Sequence, residues 1–400
     1  MRKAFVLRTT AVAAVAIAGL AACSNGSSNN SSGGLGSGSS SGSSASSNQT
    51  YKIGFQGALS GDNQQLGINE INSVELAVKQ ANDGGKLPFK LEVLKSDDGG
   101  TADKAPAAAS ALLQDNAVVG IVGPIFSGPT KAVGQTYAQA GMALISPSAT
   151  NPTLTSSGFT TFHRIVPTDS VEGVEAADWL AKKAQKIFVI DDTTEYGKGA
   201  ADVVRTELKT KGITSTNQSV PQSTQDYGAV AQAVASSGAT AMFYGGYDAQ
   251  AALLAKSLQA VGYKGIAMGG NGVKSSVFTQ NSGGAGDGWY FSCGCLDATV
   301  APQAKDFTAA YKQAYNVEPS TYSPEAYDAA NALIEAIKNA ASKGKVTRAS
   351  VEDAVNNLDY KGITTTIKFQ KNGEVEQQVI NLYQQKNGVI GLVGDIKQAS

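Results

Sequence analysis

The sequence predicts an α/β protein of two lobes, and three observations carry that prediction. Strand-length apolar runs alternate with stretches of helical spacing from Tyr51 to Met268, the signature of parallel sheets covered on both faces. The alternation pauses at the turn Pro167-Thr168-Asp169 and then starts again, which is most simply a second lobe of similar size. Within the first half, the stretch Gly120 to Thr155 runs two strands straight into small hydroxyl residues, where an open parallel sheet holds its ligands.

Taken in order, the first lobe opens with strand Tyr51 to Gln56. A helix from about Asn69 to Asn82 follows, with Val74, Ala77, Val78 and Ala81 at helical spacing. Strand Phe89 to Lys95 and an alanine-rich helix from Thr101 to about Asp115 come next. The β-branched run Val118 to Val122 ends at Gly123-Pro124, and Ser127 stands where the next helix begins. Orphan backbone N–H groups and a positive dipole end should therefore surround Ser127. Strand Ala143 to Ile145 empties into Ser146-Pro147-Ser148-Ala149-Thr150-Asn151-Pro152, rich in donors and stiffened by two prolines. Either cluster alone reads equally well as a capped loop. Together, on consecutive strands, they point to an anion site for a carboxylate.

The second lobe repeats the scheme. Helix Ser170 to Lys183 leads to strand Lys186 to Ile190, helix Tyr196 to Lys211 and strand Ile213 to Val220. Helix Tyr227 to Ser236, strand Thr240 to Tyr244, helix Asp248 to Val261 and strand Gly265 to Met268 complete it. Past Trp289-Tyr290-Phe291 the spacing predicts helices over Pro302 to Tyr315, Tyr322 to Ala341 and Arg348 to Asn357. Strands Ile363 to Gln370 and Val375 to Gln384 flank Asn372-Gly373, a hairpin signal, and a second Asn387-Gly388 precedes the apolar run Val389 to Val393.

Composition narrows the chemistry. The chain has 400 residues, is 42% hydrophobic, and balances 32 Lys and Arg against 33 Asp and Glu. Real cores are possible, and no basic field is present to attract nucleic acid. A single histidine removes the usual general base and the commonest metal ligand. No GxSxG elbow between a strand and a helix, no HExxH and no GxxxxGK[ST] loop occurs. The expectation is a protein that is not an enzyme and needs no cofactor or metal.

The first 22 residues carry Arg2, Lys3 and Arg8, the apolar run Ala11 to Ile17, and Leu20-Ala21-Ala22 before Cys23. That is a secretory signal, too short to span a bilayer permanently, and it resembles a bacterial lipoprotein signal with Cys23 as the lipidated N-terminus. Residues 24–50 hold only Ser, Gly, Asn, Ala, Gln, Thr and Leu35, a flexible spacer whose roughly 27 residues reach about 30 Å. Residues 1–22 are thus expected as signal peptide and 23–50 as anchor and linker. The expected location is the extracytoplasmic face of the bacterial cell membrane. Cys293 and Cys295, one residue apart, belong to a chain exported to where disulfides persist, and free thiols, an intermolecular bridge or a tight intrachain bridge are all open.

Six segments then share one resemblance: Lys52 to Gly61, Ile145 to Thr155, Phe162 to Asp169, Glu195 to Gly199, Tyr244 to Tyr247 and Tyr322 to Leu333. In that order they resemble the solute-binding proteins of ABC importers in the branched-chain amino acid, or leucine-binding protein, family. The resemblance implies a type I periplasmic binding protein fold, two Rossmann-like lobes joined by three crossovers that close on solute. It places the crossovers near Val166, Ser292 and Gln378. The lobes become 51–166 plus 293–378, and 167–292 plus 379–400.

It also implies the site. The carboxylate-binding serine matches Ser127, the next strand's loop matches Ser148, Ala149 and Thr150, and the aromatic contacts across the cleft match Tyr196 and Tyr247. The acid expected for the ligand's α-ammonium falls on Asn271, and Leu66 stands where an aromatic is common. Either Asp248 or Glu325 then supplies the charge, or the solute is an amide, urea or small carboxylate. On this reading Asn271→Asp should improve amino acid binding. The implied partners are a small polar solute, a membrane permease and, through Cys23, the membrane, with no nucleic acid and the chain a monomer. A ligand-sensing receptor component is the alternative role.

Overall fold

The computed structural model describes residues 49–376 and 378–399. The expected signal peptide, Cys23 and nearly all of the linker lie outside the described residues.

The first sheet is built from β1 (Thr50–Gly57), β2 (Lys90–Asp97), β3 (Val118–Val122), β4 (Leu144–Ser146) and β5 (Phe162–Arg164). Its order is β2-β1-β3-β4-β5, all parallel. The crossovers are α1 (Gln64–Asp83), α2 (Ala105–Gln114) and α3 (Ser127–Gln139). Every residue of β3 is buried, which is why it reads as a continuous apolar run.

The second sheet begins after α4 (Asp169–Ala181). It takes β6 (Lys186–Asp191), α5 (Glu195–Thr210), β7 (Thr214–Ser219), α6 (Gly228–Ser236), β8 (Ala241–Gly245), α7 (Asp248–Ala260), β9 (Ile266–Gly269), α8 (Ser276–Ser282) and β10 (Tyr290–Cys293). In α5 the buried residues Tyr196, Ala200, Val204 and Leu208 recur every four positions, and the Thr194 side chain caps the helix by accepting the Gly197 N–H at 2.9 Å.

After β10 the chain returns to the first lobe as α9 (Lys305–Tyr315), α10 (Ser323–Ser342) and α11 (Arg348–Asn356), with α10 packed on α1 and β3. A small antiparallel pair follows, β11 (Tyr360–Lys361) with β12 (Thr366–Ile367). The chain then crosses again to add β13 (Asn381–Lys386) and β14 (Val389–Asp395) to the second sheet, whose order is β14-β13-β10-β9-β8-β6-β7.

Three sequence expectations change, and one left open takes a single form. Helix α1 starts at Gln64, a turn earlier than its apolar spacing indicates. Helix α8 was not foreseen. The hairpin expected at Asn372-Gly373 is reduced to one bridge, Phe369 to Val375. Gly373, at φ +83°, instead lets its carbonyl take the Arg164 N–H, and a Cβ there would lie 2.1 Å from the Phe162 carbonyl oxygen. The full hairpin forms at Asn387-Gly388, where both residues have positive φ, 51° and 73°. Finally, Cys293 and Cys295 are joined in an intrachain disulfide, both buried.

Candidate ligand-binding cleft

Both sheets direct the carboxyl ends of their strands at one cleft. Ser127 is the first residue of α3 and is buried. Its hydroxyl oxygen accepts the Asn151 N–H at 3.2 Å, so its own proton stays available to a ligand. Ser148 Oγ lies 2.8 Å from the Ile125 carbonyl and 2.9 Å from Glu70 Oε1. Ala149 is already engaged, donating its N–H to Ser146 Oγ at 3.1 Å and accepting from Arg164 Nη1 at 2.9 Å. Thr150 Oγ1 is buried without a hydrogen-bond partner in good geometry. It stands beside the Asp169 carboxyl, near enough to oppose the upward shift that burial gives it.

From the second lobe, Tyr196 and Tyr247 arrive at the N-termini of α5 and α7. Their ring centroids are 5.2 Å apart, and Tyr247 meets Phe126 of the first lobe edge-on at 5.4 Å. Tyr196 Oη accepts the Gly272 N–H at 3.0 Å. The lobes are drawn together at the rim, where Lys131 pairs with Glu195 at 2.9 Å and Asn151 Nδ2 donates to the Glu195 carbonyl at 2.6 Å.

Asn271 follows β9 and is clamped from behind. Its N–H and its Nδ2 donate to the two oxygens of Glu172 at 2.9 and 2.8 Å, and Ser292 Oγ donates to the same carboxyl at 2.8 Å. The clamp fixes which end of the amide is spent, and leaves Oδ1 to accept from a ligand. Burial pushes the Glu172 carboxyl up to about 8, with the neighbouring Asp169 charge adding to the rise. Asp169 itself is pushed up to about 7, again by burial.

The space these walls leave between them is about 10 Å³, room for about one water, so a solute is admitted only as the lobes part. Ser127, Ser148, Tyr196, Tyr247 and Asn271 line it, as does Leu66, whereas Ala149 and Thr150 stand behind the wall. Neither Asp248 nor Glu325 reaches it. Asp248 accepts from Ser275 Oγ at 2.5 Å, and Glu325 accepts the Leu296 N–H at 2.7 Å near the crossovers.

The acid that does line the cavity is Glu70 on α1, which sequence reasoning missed. Tyr322, the first residue of the Tyr322 to Leu333 segment, is also on the lining. It holds φ +65°, an uncommon conformation for a bulky residue and a mark of functional sites. His163, by contrast, is structural, with Nδ1 3.2 Å from the Leu144 carbonyl and its ring against Phe369.

The family model described as periplasmic binding protein matches residues 50–388. The chain belongs to the periplasmic binding protein family. Among relatives of this periplasmic binding protein, Leu/Ile/Val-binding protein homolog 3 of Brucella melitensis is 29% identical over 85% of this chain and 93% of its own. A leucine-binding protein of Thermotoga maritima shares the fold with a TM-score of 0.79 at 22% identity, covering 86% of this chain and 97% of its own. A type 1 periplasmic binding protein of Bordetella pertussis superposes with a TM-score of 0.78 at 26% identity, over 86% of this chain and 100% of its own. The fold and the relatives are those of substrate-binding proteins, not of enzymes. No helix among the described residues is long and apolar enough to cross a membrane.

Proposed function

We propose that this protein captures an α-amino acid in the cleft and, tethered through a lipidated Cys23, delivers it to the permease of an ABC importer. The observation that carries the reading is the free hydroxyl proton of Ser127 at the N-terminus of α3, facing a cavity that also presents the acceptor Asn271 Oδ1. Donors for a carboxylate and acceptors for an ammonium in one small cavity complement a zwitterion. The name of the Brucella relative agrees with this ligand class. The mechanism is closure of two lobes over the solute, with no covalent step. A second reading, an amide, urea or small carboxylate as solute, draws on Asn271 standing where an acid is common. A thermal-shift screen across these classes separates the two, since binding raises the unfolding midpoint by mass action.

If Ser127 holds the ligand carboxylate, Ser127→Ala should weaken binding by about 1.5 to 3 kcal/mol. Calorimetry checks this. Unchanged affinity in the Ser127 variant would move the site elsewhere. The anchor has its own test: Cys23→Ala should shift the protein from the detergent phase to the aqueous phase of a partition experiment while the body stays folded. A variant that still partitions with detergent would remove the lipoprotein reading, because acyl chains on Cys23 are the attachment it postulates.

A further inference from the structure

Glu70 sits four residues after Leu66 on α1, and both line the cavity. The carboxyl is 1% exposed, and its Oε2 has no hydrogen-bond partner. Its Oε1 lies 2.9 Å from Ser148 Oγ, which lies 2.8 Å from the Ile125 carbonyl. A hydroxyl has one proton and a carbonyl can only accept. Once Ser148 gives that proton to Ile125, the contact with Glu70 closes as a hydrogen bond only when Glu70 brings a proton of its own.

The surroundings favour that state. No cation among the described residues lines the cavity. Burial holds Glu70 well above the ordinary carboxylate range against the smaller opposing pull of the Ser148 hydroxyl, and Glu325 on α10 adds a like charge. The phenols facing the cavity from α5, α7 and the start of α10, those of Tyr196, Tyr247 and Tyr322, are themselves held well above their usual range by burial and stay neutral. A buried acid in such a wall is stable when neutral, or when a cation arrives to pair with it.

We propose that Glu70 receives a cationic nitrogen of the ligand, the role an acid at position 271 would otherwise play, and releases its proton to solvent as the pair forms. The proposal rests on the amino acid reading above and deepens it. The proton leaves the carboxyl, the ammonium takes its place, and no covalent bond to the ligand forms or breaks. The nitrogen comes either from the α-ammonium of an apolar amino acid, whose side chain would meet Leu66, Ile125 and Phe126, or from the side chain of a basic one.

The test is calorimetry at about pH 6 in two buffers of different ionisation enthalpy, with leucine, lysine and 4-methylpentanoate, which is leucine without its nitrogen. The wild type is expected to bind an amino acid with release of about one proton, and more tightly as pH rises. Glu70→Gln keeps the shape and a hydrogen-bonding end, and should lose roughly 10- to 100-fold in affinity together with the proton release. Loss for leucine, with lysine also weakened wherever it binds, assigns the α-ammonium, and loss confined to lysine assigns the side chain. Unchanged amino acid affinity in E70Q overturns this proposal alone. So does wild-type binding without proton release, whether or not the variant folds. A wild type that binds neither amino acid overturns the amino acid reading, and the role of Glu70 with it.

Discussion

Arg164→Met is expected to cost about 3 to 5 kcal/mol of folding stability, the scale for breaking a buried ion pair from one side. Arg164 is fully buried. Its Nε and Nη2 donate to the two oxygens of Glu374 at 2.9 and 2.6 Å. Its Nη1 donates to the carbonyls of Ala149 and Asn151 at 2.9 and 2.8 Å. Thr155 Oγ1 completes the set by donating to Glu374 at 2.7 Å. One side chain therefore ties the loop behind the cleft to a segment 210 residues away. Methionine preserves much of the stem's packing but strands a buried carboxylate and the Ala149 carbonyl. Urea denaturation should show a lower midpoint at unchanged slope. The double variant Arg164→Met/Glu374→Leu should recover part of the loss, because no lone charge is left. A single variant within about 1 kcal/mol of wild type would mean that the pair does not hold the loop.

The two-lobe α/β class was legible because buried parallel strands must be apolar throughout and their crossover helices must be amphipathic, as β3 and α5 show. Ser127 was legible because it stands where a strand gives way to a helix, whereas Tyr196 and Tyr247 came from the resemblance alone. Glu70 was not. It lies inside a helix, and whether such an acid faces solvent or the cleft is decided by tertiary packing. The acid behind Asn271 was hidden for a similar reason. Glu172 is an ordinary polar residue of α4 in sequence, and it meets Asn271 across 99 positions only after folding. Turn signals were ambiguous in their own way. Asn372-Gly373 and Asn387-Gly388 carry the same dipeptide, but only the second has two flanking segments free to pair in one sheet.

That hidden acid reverses the sequence-based expectation for Asn271→Asp. The amide donates to Glu172 and helps hold down both acids, Asp169 at about 7 and Glu172 at about 8. An aspartate removes that donor and sets a third carboxyl among two that burial already strains. At about pH 8 the variant should lose roughly 3 to 5 kcal/mol of stability, the scale of an uncompensated buried charge. The sign with pH follows from proton counting. These acids have folded pKa values above their unfolded ones, so from about pH 4 to pH 8 the native state binds more protons and stability falls as pH rises. Near pH 5 Asp169 and Glu172 are protonated in the folded protein, so the new carboxyl meets no like charge from them, and the cost should shrink to about 1 kcal/mol, that of a lost neutral hydrogen bond. Urea midpoints of the two proteins at about pH 5 and about pH 8 test this. Equal penalties at both values, or an aspartate variant that binds amino acids more tightly at full stability, would show that Asn271 is not coupled to Glu172 in this way.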